Sequence, residues 1–157
     1  MSSFTHLQSE NDLKEIIQTA FSLSLEIGGS WGYTKASATI IYHTQTPLPS
    51  FEHTFASMRA YTEMNLTQEK TDRYGSINVK ESKREEHQEG SKIYHQVTYE
   101  ITAMKESEYN HFIEIYKTSY GKENFDLEAH FEARARATLH REVTHWFEVS
   151  HLLQKED

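Results

Sequence analysis

The sequence predicts an α+β fold in which a curved antiparallel sheet of five to six strands packs against two amphipathic helices. Three observations predict it: an apolar stripe at helical spacing over residues 10–28, a long β-branched hairpin over 74–104, and strict alternation of apolar and polar residues over 127–149. The rings to fill such a core are present. Nine Tyr, eight Phe and two Trp occur among 157 residues, each burying roughly 150–250 Å² when packed, and disordered chains lack such a composition. One domain over residues 1–157 suits the length, since halves of under about 80 residues would bury little core. The charged tail from about residue 153 is expected to fray.

In the first helix, Leu13, Ile16, Ile17, Ala20, Phe21, Ser24 and Ile27 recur at spacings of three and four. Ser9 or Asn11 is placed to cap it, and Gly28-Gly29 to stop it in the left-handed conformation. Trp31 and Tyr33 then anchor the helix end, and the β-branched run 36–42 predicts a strand. Thr46-Pro47-Leu48-Pro49-Ser50 is a connector.

Two readings compete over 51–66. Ala56, Met58, Ala60, Thr62, Met64 and Leu66 alternate with polar residues and favour a strand from about 55; Phe51, Phe55, Met58 and Thr62 would also line a helix capped by Ser50. The longer period-2 match decides for the strand. The hairpin turns at Glu89-Gly90, with Ile93, Val97, Tyr99, Ile101 and Ala103 on one face of its return strand. Its distal half, charged on both faces, is expected to project into water beyond the core. Ser107 is placed to cap a second helix over 108–120, bearing Tyr109, Phe112, Ile113, Tyr116 and Tyr120, and Gly121 to end it.

In 127–149, ten of twelve odd positions are apolar and ten of eleven even positions polar. An extended chain gives this pattern one buried and one wet face, whereas a helix scatters it. Ala, Glu and Arg favour a helix over 126–137; the pattern outweighs them and predicts strand, broken near Leu139–Arg141 because 23 residues is long for one strand.

Net charge is −8 with the ten histidines neutral, which disfavours nucleic acid as a partner. No stretch approaches the roughly 20 apolar residues a membrane span needs. Without cysteine there is neither a disulfide nor a thiolate metal site. That absence, with a start lacking basic and apolar signal regions, gives a cytoplasmic expectation.

The wet face of the last segment supplies the candidate catalytic residues: His130, Arg134, Arg136, His140 and Glu142. In a deep sheet they would line a polar cavity, with Glu as general base, His as proton shuttle and the arginines clamping an anion. On a solvated sheet the same alternation of sign makes cross-strand ion pairs. The chain is histidine-rich, but it has no His-x-His pair and no His-Glu-x-x-His, so no metal and no cofactor is assigned. The glycines of Gly28–Tyr33 follow a helix rather than a strand, which makes them a helix stop rather than a phosphate loop. Nor is there a Gly-x-Ser-x-Gly nucleophile elbow. The sequence therefore predicts a non-enzymatic, self-associating interaction module, a homodimer covering a sheet edge and open to a protein partner. The alternative is a small-ligand protein or enzyme with a polar and aromatic pocket between sheet and helices.

Overall fold

The computed structural model describes residues 4–8 and 12–153. Ser9, Asn11 and the tail 154–157 lie outside the described residues. Helix α1 (Leu13–Phe21) starts on Asp12, whose carboxylate accepts from the Lys14 N–H at 3.0 Å. It buries Leu13 and Ile17 and ends at Ser22, which adopts φ 58°. The helix is thus shorter than the expected 10–28, and Gly28-Gly29 does not stop it. Those glycines lie in strand β1 (Ile27–Gly29), where a Cβ on Gly28 would come within 2.9 Å of the Tyr42 ring. Strand β2 (Thr39–Ile41) pairs back on β1, and Trp31 is buried in the loop between them.

Residues 55–66, expected as strand, are helical. Helix α2 (Leu48–Tyr61) begins at Pro47 and runs into one π-helical turn, Thr62–Leu66. Glu52, Phe55, Ala56, Arg59, Ala60 and Glu63 are all buried, and their spacing of three and four is that of a helix face. Half of that face is charged. Counting charge as solvent-facing erased the helical period and left the accidental period of two.

The hairpin forms as expected. Strand β3 (Tyr74–Glu89) pairs antiparallel with β4 (Lys92–Lys105) across a turn in which Gly90 has φ 61°. Its distal half does not project beyond the core: Tyr94, His95 and Val97 of β4 are buried between neighbouring strands, and only β3 is broadly exposed. Helix α3 (Glu106–Ser119) starts on Lys105 rather than Ser107, and Gly121 follows it with φ 85°.

The segment 127–149 divides in two. Helix α4 (Leu127–Ala137) replaces the expected strand, with the Asp126 carboxylate accepting from the Ala129 N–H at 3.0 Å. Strand β5 (Leu139–Glu148) follows, then the short α5 (Ser150–Leu153). In α4 only His130 is buried. An alternating pattern dictates extended chain only where one face meets a core; without that burial the cap and the Ala, Glu and Arg propensity decide.

The five strands make one open sheet in the order β1-β2-β5-β4-β3, antiparallel except between β2 and β5. Helices α1 and α2 contribute Leu13, Ile17, Phe55 and Met64 to a core shared with Val97, Tyr99, Ile101 and Phe147 of the sheet. Each such side chain, fully buried, contributes about 1.5–3 kcal/mol. The β2–β5 ladder covers only Phe147 and Glu148, so residues 139–145 of β5 have a strand on one side alone. Among the described residues no helix is long and apolar enough to cross a membrane.

Candidate functional site

The open half of β5 lines a pocket of about 660 Å³, walled by Phe4 and His6 of the N-terminal segment, by Tyr33, and by Arg59 of α2. Each wall has a local cause. Loop 30–38 brings Tyr33 over the end of α2 because Gly32, at φ 82°, lies against His145; a Cβ there would fall 2.3 Å from His145 Cδ2. Arg59 and Glu63, four residues apart, share the buried face of α2 and its π turn. Arg141 reaches the same place from the inward face of β5.

These residues form one charged cluster. Glu63, 2% exposed, accepts from Tyr33 Oη at 2.5 Å on one oxygen and from Arg141 Nη1 at 3.0 Å on the other. Arg59, also 2% exposed, donates to main-chain carbonyls, to Trp31 O at 3.2 Å and to Thr144 O at 2.9 Å. Its guanidinium lies 4.4 Å from the Tyr33 ring centroid. The His6 ring stacks on the Tyr33 ring, 3.9 Å from it and nearly parallel. Phe4 covers the Arg141 guanidinium at 4.5 Å. The Leu7 N–H donates to Tyr33 Oη at 3.0 Å.

Two guanidinium groups therefore face one carboxylate. The surplus positive charge is felt nearby: burial, then the charge of Arg59, push His145 well below the usual histidine range. His145 is neutral, and its Nε2–H donates to Thr39 Oγ1 at 3.0 Å, since that hydroxyl already donates to Ser30 O. Burial and the Glu63 carboxylate drive the Tyr33 phenol far up, so it stays protonated. Burial works against the charge of Arg59, and Glu63 and Tyr33 sustain it. Chemically, the cluster offers fixed cations; the Tyr33 proton is already given to Glu63 and both Glu63 oxygens are occupied, which leaves little for a general acid or base.

The residues expected from sequence do not assemble as one rank. His130 is on α4, 7% exposed, ringed by Phe112, Tyr116 and Phe125 at 5.5–5.9 Å. Arg134 lines a separate groove with Tyr109, and Arg136 is exposed on the same helix. Only His140 and Glu142 reach the pocket, at its rim. The helix at 127–137 is what parts them, since it rotates successive residues by 100° instead of 180°. Sequence reading missed Tyr33, Arg59, Glu63 and Arg141. The available signal was Arg59 and Glu63 at helical spacing among Phe55, Ala56 and Ala60. Among the described residues no three His, Asp or Glu side chains are grouped as metal ligands would be. Comparison with known proteins assigns no relative: no family model, no curated protein and no solved structure matches this chain.

Proposed function

We propose that the protein is a non-enzymatic binding module whose β5 pocket takes a carboxylate-bearing ligand. The observation that carries this reading is the imbalance inside the cluster: Arg59 and Arg141 against Glu63 alone. A buried cation without a full counter-charge is costly, and a ligand carboxylate would supply that counter-charge through charge-assisted hydrogen bonds. The surplus is one unit, which suits a monoanion better than a phosphate dianion. Glu142 is at the rim but exposed, where water screens it. Phe4, Leu139 and Val143 add apolar walls for the body of the ligand. A catalytic reading is less well supported, because Tyr33 is held protonated and both Glu63 oxygens are taken.

The test is a thermal-melting comparison of 3-phenylpropanoate with 3-phenylpropanamide. The acid should raise the melting temperature in proportion to the logarithm of its concentration, the amide should not, and Arg141→Gln should abolish the shift. Equal responses to acid and amide, or none to either, would refute the carboxylate pocket.

A further inference from the structure

The pocket has a second feature besides charge, an unpaired strand edge. Trp146 donates its N–H to Gly32 O at 2.7 Å, and Thr144 O accepts from Arg59, so both residues aim their main-chain groups away from β4. In an antiparallel strand the residues doing so alternate. His140 and Glu142 therefore present their N–H and C=O groups to the pocket, and among the described residues no main-chain group bonds to them there.

We propose that the open half of β5 accepts an extended peptide segment of a partner protein as a sixth strand, one that carries a single inward acidic side chain and places that carboxylate on Arg59 and Arg141. This rests on the carboxylate-pocket reading and names the partner class for the same site. Strand addition draws its affinity from main-chain hydrogen bonds and its specificity from alternate side chains.

The contrast with the outer edge of β3 argues for the open half of β5. The β3 edge is long but guarded: Lys80, Glu81, Lys83 and Glu85 crowd it, and its register slips at Gly75/Asn78 and Glu81/Lys83. Charge and bulges are the usual devices against unwanted pairing. The open half of β5 lies between Arg59 and the pocket walls and has no register break against β4.

Side-chain alternation sets the sequence that fits. Leu139, Arg141 and Val143 share the inward face, an apolar–cation–apolar row, while His140, Glu142 and Thr144 share the outward one. An added strand meets both rows at once. Its inward row should read apolar–acid–apolar, and its outward residue beside Glu142 should be basic or neutral. The open stretch has room for about five residues at roughly 3.3 Å each.

The probe is acetyl-Val-Lys-Glu-Lys-Val-amide, titrated into the ¹⁵N-labelled full chain. Binding should slow amide exchange at His140 and Glu142, and replacing the peptide's Glu by Gln should weaken it about tenfold. Two N-methylated peptides test strand addition separately from charge. Methylation at the central Glu or at both Lys positions should cost about tenfold in one case and little in the other, because alternate N–H groups face β5 and water. Equal sensitivity of the two, or unchanged exchange at His140 and Glu142 in the bound state, would overturn strand docking. If 3-phenylpropanoate still bound in that case, the carboxylate pocket would survive; if it too failed, both readings would fall. Concentration-dependent protection of the same amides without peptide would assign the edge to a second copy of this chain and equally overturn the proposal.

Discussion

Helix α2 feeds two buried charge clusters, and they differ in whether their charges close. At its start Glu52, with no exposed surface, receives Arg84 Nη1 at 2.7 Å on one oxygen and His95 Nδ1 at 2.9 Å on the other. Arg84 goes on to Glu81 at 2.6 Å, and His95 Nε2 lies 3.3 Å from Glu86. Every cation there has a carboxylate, and the outer carboxylates reach water. Seven residues along the same helix, Arg59 has only carbonyls and shares Glu63 at a distance with Arg141. The first cluster joins α2 to the β3–β4 hairpin. The second, with its charge left over, faces a pocket. A complete circuit suits a structural role, and the incomplete one is what the proposed carboxylate ligand would close.

The largest effect expected from this contrast is on Glu63→Gln, which strands Arg59 where it cannot turn to water. It should cost about 3–5 kcal/mol of unfolding free energy, read from urea titrations. Glu52→Gln should cost less, about 1.5–3 kcal/mol, because the Arg84 side chain is 25% exposed and can swing outward. A larger loss at Glu52 than at Glu63 would break the comparison. Tyr33→Phe, which removes a donor to Glu63 and an acceptor for Leu7, should cost about 0.5–1.5 kcal/mol by the same measurement.

The smallest effect is expected with pH. Burial draws the His95 value down, but the hydrogen bond and charge of Glu52, helped by Glu86, lift it above the usual histidine value. A raised value in the folded state means the imidazolium contributes stability fully below about pH 6.5 and loses it as pH rises through the folded value. Because the depressed His145 value adds stability as pH rises and acts equally in both chains, the reading is the difference: the stability of the parent relative to His95→Gln should fall from pH 6 to pH 8 in urea titrations. A relative stability that rises over that range would show that His95 is neutral in the cluster.

How much was legible in the sequence follows the same division. The β3–β4 hairpin and the body of α1 could be read because their buried residues are apolar and their turns carry the expected chemistry, Gly90 above all. The stretch 51–66 was misread because Glu52, Arg59 and Glu63 occupy the buried face and look like surface. The stretch 127–137 was misread for the converse reason: its alternation suggested a core face, and apart from His130 none of it is buried. Of the site, His140 and Glu142 were found and reach its rim; the charged floor was not.

The sequence by itself determined the α+β class, the long hairpin and the acidic, ring-rich composition, since these rest on local periodicity, turn residues and residue counts. Only the tertiary structure decided which charges are buried and where they meet. Tyr33, Arg59, Glu63 and Arg141 come from a loop, one helix and a strand up to 108 residues away, and burial, unlike periodicity, is a property of what packs above a residue rather than of its neighbours in the chain.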